Sequence, residues 1–419
     1  MVEVWLPYGD TEVCVRIPTA NLLDIIEPRR IASAKNPQEE IKNALQNPLG
    51  SKRLAEIVKP RAKITVILKD SGVSVNQMLI SALLEEMSSA GVEDKDVTII
   101  FAYDPFREVL LRRNLPMLRE EIPARLRVIK HTVEADGQVY VGKTSSGIEI
   151  RLNRLFIEAD VKILVGPVEP HPVAGYSGGR ELILPGVASL DSILKVFRLG
   201  IDEKAKKGIL EGNMVHDEMV EAADLAQVDF ALSIVRDVGL DIIKAFAGSI
   251  DKAFEESVRF AGGIYKVPVE NRADIVFVSP GGSLFDGSLQ EAAFCLDDAL
   301  EIAKKGKAVA LVAECASGCG DKEFLETLSR FNDPKDLRKH LKRRFSVPGL
   351  MAYRLMSVLT QVNLVVVSAM PEYYVSRIFR IKTARTANEA YRILASIVGN
   401  RGKVSFIPYG NLTVPFLKA

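Results

Sequence analysis

Residues 169–189 read EPHPVAGYSGGRELILPGVAS and follow the run VKILV at 161–165, apolar at all positions but Lys162. A run that is apolar at nearly every position, rather than at alternate ones, is the mark of a strand covered on both faces, as in a parallel sheet. The segment then exits into Gly175, Gly178 and Gly179. Glycines there let backbone approach a ligand closely and aim N–H groups at an anion. The same pattern recurs on either side. Apolar runs Ile64–Leu68, 97–102 and 229–235 alternate with helical patterns at 76–90 and 107–121. Runs at 275–279, 308–313 and 364–368 repeat it in the second half. The alternation predicts an α/β protein of two domains, with mainly parallel sheets flanked by helices and a cleft between them. Expected boundaries are an N-terminal domain at 1–262, a Gly- and Pro-containing linker at 263–272, and a C-terminal domain at 273–419. The strand at 404–408 is expected to return to the first domain.

Ligands of such sheets sit beyond the carboxyl ends of the strands, and the loops there hold the candidate site residues. Asp70 ends a strand and suits ribose hydroxyls. Ser177, Gly178 and Gly179 suit a phosphate, with Arg180 and Arg107 to neutralise it. Gly281 and Gly282 offer a second close approach, and Glu181 and Glu291 are candidate catalytic acids or bases, since apolar burial raises a carboxyl pKa. Among the four histidines, His171 lies in the glycine-rich loop, His216 at a helix start, His131 after a strand and His340 in a basic helix.

At 419 residues with a formal net charge of +1, the chain has no basic field for nucleic acid and no acidic field for a cationic partner. The basic cluster at 338–344 reads as a solvated helix face. The four cysteines, Cys14, Cys295, Cys315 and Cys319, suit a reducing compartment and lack zinc-finger spacing; Cys315 and Cys319 flank a loop where they could pair or hold a metal. No leader-like or membrane-spanning run is present in the sequence, so a cytoplasmic, membrane-free protein is expected. Its partners are expected to be a small-molecule or nucleotide-like ligand, with a paralogous subunit or a second copy of the chain as the protein partner.

The run His171, three residues, Gly175-Tyr176-Ser177-Gly178-Gly179, then a Pro185-Gly186 turn, resembles the signature of the lactate racemase family. Ordered landmarks extend the likeness over most of the chain: NPLGSKRLAEIVKP at 47–60, ITVILKD at 64–70, GILEGNMVHDEMVEAA at 208–223, ADIVFVSPGGSLFDGSLQ at 273–290, VAECASGCG at 312–320 and IPYGNLTVP at 407–415. The resemblance implies a 2-hydroxyacid racemase or epimerase that carries a nickel-pincer nucleotide. It puts His171 at a nickel-ligating histidine and Glu181 at the lysine that tethers the cofactor covalently. The carboxylate-binding arginine of the family falls at Val73. Its two acid/base histidines fall at Phe106 and, within about a residue, at Phe197. A glutamine and a lysine of its second half fall at Glu291 and Phe294, and a later histidine at Phe254.

A base on each face of the reacting carbon and a cation for the carboxylate are what racemisation of a 2-hydroxy acid requires. With those positions exchanged, a divergent protein that is not itself a lactate racemase is expected. The alternatives are a non-catalytic paralogue or partner subunit, and an enzyme of another class binding a nucleotide-like ligand. Phe106, Phe197 and Phe294 are expected to converge near His171 and make the pocket apolar.

Overall fold

A computed structural model describes residues 1–106, 126–134 and 137–418. Arg107 and the helical pattern at 107–121 lie outside the described residues. The chain forms two compact units, Arg30–Gly263 and Met1–Arg29 with Ile264–Ala419.

At the N-terminus, β1 (Val2–Tyr8) and β2 (Thr11–Ile17) form an antiparallel hairpin, and β3 (Leu22–Ile25) becomes an edge strand of the sheet that the C-terminal residues build.

In the Arg30–Gly263 unit the sheet strands are β4 (Ile64–Leu68), β5 (Val97–Phe101) and β6 (Arg127–Lys130). The hairpin β7 (Gln138–Lys143) and β8 (Glu149–Asn153) stands apart from it. The sheet continues with β9 (Val161–Pro167), which runs into the short pair β10 (Pro170–His171) and β11 (Gly175–Tyr176), and closes with β12 (Phe230–Arg236) and β13 (Ile242–Gly248). The order is β13-β12-β9-β4-β5-β6, parallel except for β13. All five residues of β4 are buried, as a central strand covered on both faces requires. On one face Ile64, Val66 and Leu68 meet Leu79, Leu83 and Met87 of helix Val73–Ser88. Helix Pro37–Gln46 packs beside it through Ile41 and Leu45. It starts where the Asn36 side chain accepts the Glu39 N–H and Pro37 pre-sets the first turn.

The other unit holds β14 (Lys266–Val269), β15 (Ala273–Val278), β16 (Ala303–Val312), β17 (Asn363–Val367), β18 (Lys382–Ala384), β19 (Val404–Ile407) and β20 (Val414–Leu417). Its six-stranded sheet is ordered β18-β17-β16-β15-β19-β3 and is parallel throughout. Helix Ala387–Val398 and the β1–β2 hairpin contribute Leu394, Val4 and Leu6 to its core.

The α/β architecture with parallel sheets is as the sequence predicts; the boundaries differ. Residues 1–29 belong with the C-terminal half, because β3 takes the free edge of β19. The strand at 404–407 pairs with β15 and β3 and so stays in its own unit, while β20 pairs with β14. The expected linker is no open segment. Helix Ile250–Tyr265 runs through Gly262 and Gly263, held by the buried Ile264 and Tyr265, and β14 follows at once. Among the described residues no helix is long and apolar enough to cross a membrane.

Candidate functional site

In the Arg30–Gly263 unit, Leu68, Phe101 and Val165 stand level in adjacent parallel strands. Directly beyond that level the chain places Lys69 after β4, Asp104 and Phe106 after β5, Glu169 and His171 after β9, and Arg236 at the end of β12. A glycine in a strand often marks a close approach, and Gly166 does so here: a Cβ on it would stand 2.8 Å from Lys69 Cβ.

Two buried ion pairs dominate this edge. Lys69 Nζ lies 2.6 Å from Glu181 Oε1 and 3.3 Å from Asp104 Oδ2, with Lys69 6% and Glu181 4% exposed. Arg236 donates through Nε to Glu169 Oε1 at 2.9 Å and through Nη1 to the Ser71 carbonyl at 3.0 Å. Both members of that second pair are buried. Lys69, Asp104, Glu169 and Arg236 are additions to the sequence reading. Their signal was a charge at the very end of, or just after, an apolar strand, where the sheet edge is the one place such a side chain can go.

Glu181 is the sequence candidate at the centre of the site. Its Oε2 accepts the Gly178 N–H at 2.9 Å, so the carboxylate reaches back over its own loop. It pairs with Lys69, whereas Arg180 and Lys195, cations nearer to it in sequence, pair with Asp251 and Asp191. His171 Nδ1 accepts the backbone N–H groups of Val173 at 3.1 Å and Ala174 at 2.8 Å. A neutral ring held this way carries its proton on Nε2, and Nε2 lies 4.0 Å from Glu181 Oε1. That tautomer presents an N–H, a hydrogen-bond donor, rather than a lone pair for a metal. Phe106 meets the His171 ring edge-on at 5.3 Å and Phe197 at 5.6 Å, all three buried. Phe106 thus packs on His171, as expected, and Phe197 packs behind it on Phe106; Phe294 lies in the second unit.

The remaining candidates have partners within the protein. Asp70 Oδ1 accepts Gly72 N–H at 3.1 Å and Asn76 Nδ2 at 2.8 Å, closing the entry to helix Val73–Ser88. Ser177 donates its N–H to the Glu169 carbonyl at 2.8 Å and its hydroxyl to the Pro167 carbonyl at 3.2 Å. Arg180 lies over the Phe254 ring at 4.6 Å, and the Gly179 backbone approaches the same ring. His216 stacks on Phe254 at 6.1 Å, and burial, then the Arg180 charge, push its imidazole down to about 4. Its N–H is one of two that the Asn213 side chain caps, as a helix start demands. His131 bonds the Ala188 carbonyl at 2.9 Å and is held neutral by burial.

Glu291, Gly281 and Gly282 sit in the second unit. Glu291 Oε2 accepts the Ser288 hydroxyl at 3.1 Å. Gly282 adopts φ +85°, and a Cβ there would stand 3.0 Å from the Gly9 carbonyl. Its close approach is therefore to the β1–β2 turn of its own unit. Cys315 is buried and Cys319 half-buried; both are free, and burial raises both thiols.

The residues present do not fit a nickel-pincer nucleotide tethered at position 181. A carboxylate cannot make the bond a lysine amine makes, and both oxygens of Glu181 are engaged. Among the described residues, no group of three His, Cys, Asp or Glu side chains is arranged to hold a metal.

Comparison with known proteins bears on the same fold. The family model of the lactate racemase N-terminal domain matches residues 8–208, and that of the lactate racemase C-terminal domain matches residues 269–414. The lactate racemase of Thermoanaerobacterium thermosaccharolyticum is 29% identical over 421 residues, covering 98% of each chain. That of Lactiplantibacillus plantarum is 26% identical over 419 residues, covering 98% of this chain and 99% of its own. The solved lactate racemase apoprotein of T. thermosaccharolyticum superposes with a TM-score of 0.88, covering 99% of this chain and 100% of that one. A Thermotoga maritima structure at 15% identity, with a TM-score of 0.67 and 93% of this chain covered, shares the fold.

Proposed function

The chain belongs to the lactate racemase family, and we propose that within it this protein is a divergent member that does not interconvert D- and L-lactate. The observation that carries the reading is the buried Lys69–Glu181 ion pair at 2.6 Å, which occupies the position the family resemblance gives to a covalently tethering lysine. Loss of one general base costs roughly two to four orders of magnitude in rate. Here both acid/base histidine positions are phenylalanines, Phe106 packed on His171 and Phe197 on Phe106, and the carboxylate arginine position is Val73. A lactate carboxylate entering this edge would meet cations already neutralised by Glu181, Asp104 and Glu169.

A second reading draws on the 4.0 Å approach of His171 Nε2 to Glu181 Oε1. The two could serve a metal-free reaction on another small molecule, with His171 Nε2–H donating a hydrogen bond that polarises it and Glu181 acting as the base.

The test is a chiral assay of D- and L-lactate with purified native protein, supplied with nickel and the enzymes that make the family's cofactor. No interconversion above a protein-free control is expected, and clear interconversion would overturn the reading. Intact-mass and metal analysis of the same sample adds a second readout. A retained small molecule favours the metal-free enzyme, and co-purification with a histidine-containing paralogue favours a partner subunit.

A further inference from the structure

We propose that Lys69 is the specificity-determining residue of this edge: it fixes residue 181 as an acid and keeps that position closed to a covalently attached cofactor. The inference rests on the reading of the chain as a member without a tethered cofactor.

Three observations carry it. Lys69 Nζ is bracketed by Glu181 Oε1 at 2.6 Å and Asp104 Oδ2 at 3.3 Å, in a site where the lysine side chain is 8% and the glutamate 4% exposed. The stem of Lys69 fits only because β9 carries Gly166 opposite it, since a Cβ there would meet Lys69 Cβ at 2.8 Å. Glu181 in turn closes its own loop by accepting the Gly178 N–H. The carboxylate at 181 is therefore one half of a charge pair, and the other half stands 112 residues earlier in the chain. A lysine placed at 181 alone would set two ammonium groups in one buried site, with Asp104 as their shared counter-charge. Like charges in a desolvated site repel strongly, so the family residue cannot return at 181 while Lys69 remains.

The experiment compares thermal unfolding of the full chain with that of Glu181→Lys and of Lys69→Gln/Glu181→Lys. The single variant should lose about 10 °C, the scale set by breaking a buried pair in a unit of this size. The double variant should recover more than half of that loss. A double variant no more stable than Glu181→Lys would overturn the proposal. Should Glu181→Lys fail to fold, Lys69→Met and Glu181→Gln give an independent measure. Lys69→Met removes the cation that Glu181 and Asp104 share, whereas Glu181→Gln keeps the Lys69–Asp104 pair. Lys69→Met must therefore melt lower, and an equal or reversed order would overturn the role of Lys69.

Intact mass, measured after co-expression with nickel and the cofactor-making enzymes, separates the two levels of the argument. An adduct on native protein would defeat the reading on which the proposal rests. An unmodified native chain beside an adduct on Glu181→Lys would defeat the role of Lys69 alone. No adduct on either chain is the expected result.

Discussion

The carboxyl edges of the two sheets use buried charge in opposite ways. In the Arg30–Gly263 unit, buried cations meet buried carboxylates, Lys69 on Glu181 and Arg236 on Glu169. In the other unit the buried carboxylate of Asp286 meets backbone instead, with Oδ2 accepting Gly9 N–H at 2.8 Å and Glu314 N–H at 3.0 Å. Ser279 and Ser283 hold the same β1–β2 turn, through the Pro7 and Gly9 carbonyls. A carboxylate on backbone N–H groups satisfies donors that would otherwise be orphaned, and its net effect is stabilising. A buried ion pair is different, because desolvation can offset its attraction and an apolar pair of equal volume often does as well. The second edge thus reads as a fastening for the N-terminal hairpin, and the first as an edge where charge is kept for what it does there.

The comparison breaks most readily at Arg236. Arg236→Met would remove the Arg236 guanidinium from Glu169, which is 1% exposed, and from the Ser71 carbonyl. Removing one partner of such a pair costs about 3–5 kcal/mol, and urea unfolding should show a loss of that size. A loss below about 1 kcal/mol, the range of exposed pairs, would mean that the edge is wetter than its burial implies.

Asp286 tests the fastening with a smaller effect. Asp286→Ala removes the acceptor for two N–H groups and should cost about 2 kcal/mol, since each buried unmet donor is worth about 1–3 kcal/mol and the lost desolvation of the carboxylate offsets part of that. Asp286→Asn keeps a carbonyl acceptor and should lose less than half as much. Hydrogen exchange should locate the damage in β1 and β2, and unchanged protection there would refute the fastening role.

What the sequence made legible follows the same division. Strand positions were read to within a few residues, because a β-branched, almost wholly apolar run such as ITVIL permits little else in a covered sheet. Glu181 was legible as an exchanged position and a candidate acid, but its partner was not. Lys69 stands next to Asp70, and its pairing with residue 181 exists only because β4 and β9 lie side by side. Local patterning carries no trace of that adjacency. The domain boundary failed for the same reason, since the parallel pairing of β3 with β19 joins segments about as far apart as the chain allows. Phe106 and Phe197 could be placed together because the family resemblance puts both at one site, and they pack on each other there.

The smallest effect concerns protons, and it should fall on one unit. His216 is pushed down to about 4 by burial and then by Arg180, and burial also lowers His131, partly opposed by the Ala188 carbonyl. Both rings lie in the Arg30–Gly263 unit. Their unfolded counterparts titrate near 6.5, so between about 6.5 and about 4 the unfolded chain holds more protons than the folded one. Stability must then rise with pH through that window and gain nothing further from these rings above it. His216→Phe preserves a ring against Phe254 and removes the titration. Its urea midpoint should match native protein at pH 8 and exceed it at pH 5, with the pH-dependent rise in hydrogen exchange of native protein confined to residues 30–263. An identical pH dependence in native and variant chains would show that His216 takes up its proton in the folded state as readily as in water, and would remove the stacked, dry environment inferred for it.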